Sequence, residues 1–224
     1  YANIASMKSH GIEFTISSKN IQSKDFSWNT DFIFSKAKNE VTELNARSSV
    51  MDLVSGYGFA RQGYPVRGLF SIPFVGLSSN GIPMYNINGK ITSTDIDFQT
   101  RDNIDYLKYE GPTDPTITGS FGNIFTYKAF KLNVFITYSF GNVVRLNPCF
   151  NYQYSDLSSM PREFKNRWTV PGDEKHTNIP AIISKRQYED NKDLMYAYNA
   201  YNYSTERIAK GDFIRMKEIS LSYD

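Results

Sequence analysis

The stretch "FKLNVFITYSF", residues 130–140, carries a large apolar residue at every second position. Phe130, Leu132, Val134, Ile136, Tyr138 and Phe140 share one parity. Lys131, Asn133, Phe135, Thr137 and Ser139 share the other, and all of these but Phe135 are polar. A period of two belongs to a β-strand, where successive side chains point to opposite faces; on a helix the same residues scatter around the axis. The run is also long. At about 3.3 Å per residue it spans roughly 36 Å, and a tilt of about 40° leaves a rise of roughly 28 Å, near the apolar thickness of a bilayer. Two readings follow. A half-buried strand of a soluble sandwich or barrel sets its apolar face on a protein core. A transmembrane strand sets it on lipid, with the polar face toward a wet lumen. The strand by itself leaves both open, the soluble class being the commoner.

The alternation recurs along the chain. In "GIEFTIS" (11–17), Ile12, Phe14 and Ile16 oppose Glu13, Thr15 and Ser17. In "FSWNTDFIFS" (26–35), Phe26, Trp28, Phe32 and Phe34 oppose Ser27, Asn29, Asp31 and Ser35, with Ile33 the exception. The stretch "SSKNIQSKD" (17–25), polar except for Ile21, reads as the connection that makes these two a hairpin. A second hairpin runs from "ITGSFGNIFTY" (117–127) through a turn at Lys128 and Ala129 into the opening strand, with Gly119 and Gly122 expected to weaken its first arm. Near the end, Ile219, Leu221 and Tyr223 of "ISLSYD" share one face.

These strands divide the chain into a hairpin at 11–36, a long segment at 37–116, a hairpin at 117–141, a long segment at 142–212 and a strand at 213–224. Loops of that length count against a compact soluble domain. Short turns alternating with long loops are the rule in outer-membrane barrels, so the connections favour the membrane reading. The fold class expected is all-β: part of a large antiparallel transmembrane β-barrel with long extracellular loops.

Composition agrees. The formal net charge of +2 over 224 residues gives no bulk attraction toward nucleic acid or anionic surfaces. The mean hydropathy is −0.46 and no run of about 18 apolar residues occurs, which excludes a transmembrane helix and leaves membrane strands untouched. Aromatic residues reach 15%, with 16 Phe and 16 Tyr, as in barrels with aromatic girdles and in sugar-binding β-proteins. The single cysteine, Cys149, excludes an intrachain disulfide framework. The opening "YANIASMKSHG" lacks the basic start and apolar stretch of a leader, which reads as a fragment or a mature chain.

Catalytic chemistry is not nominated. His10 and His176 are the only histidines and neither has a ligand partner at metal spacing. No Gly-rich phosphate loop or nucleophile elbow occurs. Asp95 with Asp97, or Asp173 with Glu174, are pairs that chance produces among 23 acidic residues. "YNINGKITSTDID" (85–97) has the outline of a calcium loop, but Asn86 and Asn88 stand where carboxylates belong and Lys90 adds positive charge. No metal, cofactor or catalytic residue is therefore assigned. "YAYNAYNYST" (196–205) reads as a loop packed on its own rings. In "FKNRWTVPGDE" (164–174), Arg167, Trp168, Asp173 and Glu174 are candidate ligand or partner contacts, against a plainer reading in which Pro171 and Gly172 turn the chain over Trp168.

Four stretches together resemble the SusC/RagA type of TonB-dependent outer-membrane transporter: "GIEFTISSKNIQSKDFSWNTDFIFSKAKNEVTEL", "YEGPTDPTITGSFGNIFTYKAFKLNVFITYSFGN", "RWTVPGDEKHTNIP" and "GDFIRMKEISLSYD". Each is weak alone; their order and spacing carry the resemblance over nearly the whole chain. It implies a late-middle piece of a 22-stranded barrel, without the plug, located in the outer membrane of a Gram-negative bacterium. It implies a SusD-like surface lipoprotein as lid, the TonB system acting through the plug, and an oligosaccharide or peptide as cargo. It sets Ile12, Phe14, Ile16, Phe26, Trp28, Phe32, Phe34, the apolar parity of 130–140, Ile219, Leu221 and Tyr223 against lipid. Glu13, Asn29, Asp31, Lys131, Asn133 and Thr137 then face the lumen. The rivals are a soluble carbohydrate-binding β-sandwich, whose long segments would hold further strands, and a β-rich glycosidase.

The facing assignment makes an unequal prediction. A lysine at Val134 or Ile136 should cost about 2–4 kcal/mol in the intact barrel, and one at Asn133 much less. Denaturant unfolding of the three variants measures this; equal costs at the two parities refute the assignment.

Overall fold

The computed structural model describes residues 4–56, 60–150 and 159–223. In chain order the elements are β1 (Ala5–Gln22), β2 (Phe26–Leu44), α1 (Val50–Ser55), β3 (Gly68–Ser71), β4 (Phe74–Leu77), β5 (Pro83–Ile87), β6 (Lys90–Thr92) and β7 (Lys108–Pro112). They continue with β8 (Ile117–Tyr127), β9 (Phe130–Phe140), β10 (Val143–Arg145), α2 (Lys185–Asp190), α3 (Leu194–Asn202), β11 (Ile208–Lys210) and β12 (Phe213–Tyr223). Five long strands form one sheet in the order β1-β2-β8-β9-β12, with every neighbour antiparallel. The short strands of the long segments stay apart from it, in sheets β3-β7, β4-β5-β6 and β10-β11. No helix among the described residues is long and apolar enough to cross a membrane, which leaves strands unaddressed.

The first hairpin is longer than its alternation shows. β1 and β2 pair from Ala5 and Leu44 down to Gln22 and Ser27, so the strands exceed the expected 11–36 and the turn is only Ser23–Asp25, not 17–25. A bulge hides this in the sequence. The register shifts between Lys19 and Ile21, and the extra residue brings Ile21 opposite Trp28. A second bulge between Met216 and Glu218 does the same in β12: Met216 pairs with Ile136, and Ile219 pairs with Val134. Without the two bulges a strand of period two would turn its later apolar residues to the wrong side.

The register puts all the expected apolar residues on one face. Ile12, Phe14 and Ile16 of β1 share it with Phe26, Trp28, Phe32 and Phe34 of β2, and β8 adds Ile117, Phe121, Phe125 and Tyr127. The even positions of β9 continue it, followed by Ile214, Met216, Ile219, Leu221 and Tyr223 of β12. Phe26, Tyr127, Phe130 and Tyr223 form a row of rings at the turn end. Rings also meet across strands: Phe14 stacks on Phe34 at 5.1 Å and Trp28 on Phe125 at 5.7 Å. No element among the described residues covers this face at its margins, where Ile12 is 68% and Leu221 69% exposed.

The other face is polar. Glu13, Asn29, Asp31, Lys131, Asn133 and Thr137 all lie on it. Neighbouring strands bond across it: Ser17 donates to the Asp31 carboxylate (2.6 Å), Gln22 to Asn29 (3.0 Å) and Asn133 to Glu218 (2.9 Å). Ile33 lies here too.

β8 is a full strand despite its glycines, and the reason is packing. Gly119 faces Tyr138 and Gly122 faces Phe135 in direct cross-strand pairs. The Tyr138 ring lies across Gly119 on the apolar face and its hydroxyl donates to the Ile33 carbonyl (2.9 Å). Phe135 lies across Gly122 on the polar face, where an added Cβ would stand 3.3 Å from its ring. The aromatic rings fill what the glycines leave open.

Asn123 breaks the apolar face and is satisfied in place. Its side-chain oxygen accepts from the Trp28 indole (2.9 Å) and the Thr30 hydroxyl (2.8 Å), and Thr30 accepts from Asn20 (2.6 Å). Asn123→Leu strands two donors in apolar surroundings and should cost about 1–3 kcal/mol. Trp28→Phe should then cost less in that background than alone. Denaturant unfolding of the full-length protein gives the double-mutant cycle, and additive costs would show that the indole and the amide are not coupled.

Candidate functional site

The hydrophobic core lies in the two long segments. Among the described residues, every buried large apolar side chain except Val41 falls within 50–107 or 149–201. The segments are therefore folded units rather than loops. α1 starts at a Ser49 capping box, in which the Ser49 hydroxyl accepts from the Asp52 amide and the Asp52 carboxylate from the Ser49 amide. "NG" at Asn88–Gly89 makes a hairpin turn between β5 and β6, with φ of 51° and 85°, and the Asn86 side chain accepts from Gly89 N–H (2.9 Å). The stretch with a calcium-loop outline is thus a hairpin. The Tyr/Asn run is also no loop: residues 194–202 form α3, which buries Ala197, Tyr198, Ala200 and Tyr201.

The two segments lock onto each other and form one cap. The Tyr85 hydroxyl donates to the Ala197 carbonyl (2.7 Å), and burial pushes its pKa well up. Ile72 N–H donates to the Tyr203 carbonyl (3.0 Å), and Thr205 N–H to the Ile72 carbonyl (3.1 Å). Arg145, at the root of the second segment, reaches into the first. Its guanidinium donates to the carbonyls of Val54 (2.9 Å), Phe70 (2.6 Å) and Ser204 (3.2 Å) and to the Ser71 hydroxyl (3.1 Å). Burial among these neutral groups lowers its pKa to about 10, against the pull of Glu110. The cap rests on the strands above the polar face: Val41 is buried, its N–H donates to the Tyr64 carbonyl, and Asn39 accepts from Val66 N–H (2.8 Å).

A cleft of about 730 Å³ opens in the cap between α1, residues 96–99 and α3. Met51, Phe98, Met195 and Tyr196 give it apolar walls, and Asp97, Gln99 and Asn199 give it polar ones. Asn202 fixes its floor, accepting from Cys149 N–H (2.9 Å) and Phe150 N–H (3.1 Å) and donating to the Phe150 carbonyl (2.9 Å). The Cys149 thiol is buried and its pKa is pushed up to about 11, chiefly by desolvation.

The turn at 164–174 brings Trp168, Asp173 and Glu174 together and spends their polar groups on itself. Asp173 accepts from Thr169 N–H (2.9 Å), Val170 N–H (3.1 Å) and the Thr169 hydroxyl (2.8 Å), and the backbone donors draw its pKa down. Glu174 accepts from Gly172 N–H (2.8 Å) and the Trp168 indole (3.1 Å), and its pKa is also lowered, chiefly by backbone donors. The Trp168 ring lies on Gly81, where an added Cβ would stand 2.5 Å from the indole and where the φ of 73° also favours glycine. Arg167 donates to the Phe164 carbonyl (3.0 Å). Asp95 pairs with Lys90 (2.8 Å) while Asp97 caps Gln99 N–H (2.8 Å), so these two carboxylates serve separate local bonds. No cluster of metal-ligating side chains exists among the described residues.

No protein-family model matches the chain. It is 25% identical over 252 aligned positions to TonB-dependent receptor P3 of Formosa agariphila, covering 99% of this chain and 22% of that protein. It is also 25% identical to TonB-dependent receptor P39 of the same organism, covering 99% of this chain and 24% of the relative. Among solved structures it superposes on the RagAB peptide importer in its closed-closed and open-open states. The TM-score is 0.69 in both, at 21% and 19% identity, over 100% of this chain and 23% of that one. The chain resembles one stretch of a SusC/RagA-type TonB-dependent transporter in both sequence and fold. It spans about a quarter of the length of these relatives. The superposition takes in the whole chain, the five-stranded sheet and the cap alike.

Sequence reading missed Arg145, the residue that ties the segments together. Arg145→Met removes four donated hydrogen bonds and leaves carbonyls unpaired. In the full-length protein, limited proteolysis within the cap should speed up roughly tenfold or more, with the sheet left protected. An unchanged cleavage rate would show that the apolar core alone holds the cap.

Proposed function

We propose that this chain forms part of the wall and the outward cap of a TonB-dependent outer-membrane importer. The importer takes up oligosaccharides or peptides together with a SusD-like surface lipoprotein. The observation that carries the proposal is the division of labour in the fold. The long strands display a broad apolar face that no described element covers at its margins, while the buried apolar core sits apart in the cap. Such a sheet suits hydrocarbon on one side and a wet lumen on the other. Ile12, Phe14, Phe32, Val134, Ile136, Ile219 and Leu221 then meet lipid, and Glu13, Asn29, Asp31, Lys131, Asn133 and Thr137 line the passage. The cap stands outside the cell, where it meets lipoprotein and cargo, and the turn with Arg167, Trp168, Asp173 and Glu174 is a preformed part of that surface. The work is binding and gated passage, driven by the TonB system through a plug domain. The named relatives are receptors and importers.

The full-length receptor should be extracted from the outer membrane in complex with a surface lipoprotein, and cells carrying it should accumulate labelled oligosaccharide or peptide. Deleting the TonB system should abolish accumulation while binding at the surface persists. Uptake that continues at full rate without TonB would contradict the proposal.

A further inference from the structure

The apolar face ends abruptly toward the cap. Along β2 the residues on that face run Phe32, Phe34, then Lys36, Lys38 and Glu40; along β1 they run Ile16, Phe14, Ile12, then His10 and Lys8. The pairs are Ile12 with Lys36, His10 with Lys38 and Lys8 with Glu40, so Lys36 stands in the last apolar row, between Ile12 and Ile117, and the other cations stand in the rows beyond it. All are exposed. The reverse side of the same hairpin carries Val41 and Asn39 and is the side that holds the cap; Lys38, though exposed, also borders a cleft whose far wall includes Pro65, Arg67 and Asp114 of the cap. Lys8 is paired with Glu40 at 3.0 Å. Glu43 lies farther along and accepts from the Ser6 hydroxyl. Lys36 and Lys38, the two nearest the apolar band, have no acidic partner among the described residues.

Lysines placed at the end of an apolar face keep their stems on apolar surface and reach with the ammonium group into the polar layer beyond. In a bilayer that layer holds phosphates, and the attraction between a basic strip and anionic headgroups is strong near the surface and screened by salt. We propose that Lys36 and Lys38, with His10 beside them, form a binding strip for phosphate-bearing anionic lipid headgroups in the leaflet on the cap's side. The strip fixes the height of this part of the wall in the membrane. The inference rests on the reading that the apolar face meets lipid.

The test uses the full-length receptor in vesicles of phosphatidylcholine containing spin-labelled phosphatidylglycerol or spin-labelled phosphatidylcholine. Electron paramagnetic resonance gives the protein-bound fraction of each. The wild-type receptor should prefer the anionic lipid by roughly fivefold or more at low salt, and the preference should fall in high salt. Lys36→Gln/Lys38→Gln should lose most of it, and Lys131→Gln on the polar face should keep it. No anionic preference in the wild type, or an equal preference in the double variant, overturns the strip. A receptor that immobilises neither lipid overturns the bilayer reading beneath it, which separates the two failures.

Discussion

The constraint on which the structure depends is the facing of five strands. A strand has two sides and no means of hiding either from solvent by itself, and a slip of one residue exchanges them. Here the register holds without a shift between β2 and β8 and between β8 and β9; within the apolar band it is corrected by one extra residue in β1 and one in β12, and a third shift, between Ser6 and Met7, lies beyond the band. The bulges are thus part of the specification. They let an irregular sequence present one mainly apolar surface, interrupted at Asn123, and one mainly polar one. Once that surface exists, what covers it decides what kind of protein this is. Among the described residues no element covers its margins, and nearly all the buried apolar side chains are committed to the cap.

The cap solves a different problem. Long connections carry many backbone polar groups and a high cost in conformational entropy, so they hold one conformation only if they build a core. The two long segments do so jointly: Ala200 of the second sits in the cluster formed by Val50, Leu53 and Phe70 of the first. Arg145 then satisfies carbonyls that the core cannot. A cap built this way is rigid relative to a pair of free loops and gives a fixed surface above the polar face of the sheet.

The wall was legible in the sequence because its determinant is local. The parity of 130–140 and 26–34 can be read from the side chains alone, and the register sets those residues on the expected faces. The hairpin ends were not legible. Beyond Phe34 the pattern turns to Lys36, Lys38 and Glu40, and a strand outside an apolar layer loses the contrast that marks it. The Asn20 bulge also looks like a polar connection until Ile21 is seen opposite Trp28. Gly119 and Gly122 read as weaknesses because the compensating rings, Tyr138 and Phe135, lie on the neighbouring strand. The cap was the least legible. Its contacts join residues far apart in sequence, and an isolated Arg145 between Val144 and Leu146 carries no local sign of its four partners. Asn123 did leave a signal, a polar residue at an apolar position, and its partners Trp28 and Thr30 explain why the position tolerates it.

The most direct measurement is a cysteine scan of residues 131–138 in the full-length, membrane-inserted receptor, with Cys149 replaced by serine. A membrane-impermeant maleimide reports access from water, position by position. The account predicts alternation: labelling at 131, 133, 135 and 137, and protection at 132, 134, 136 and 138. Uniform labelling, or labelling at the even positions, would mean that the apolar face does not meet lipid and would contradict the account at its root.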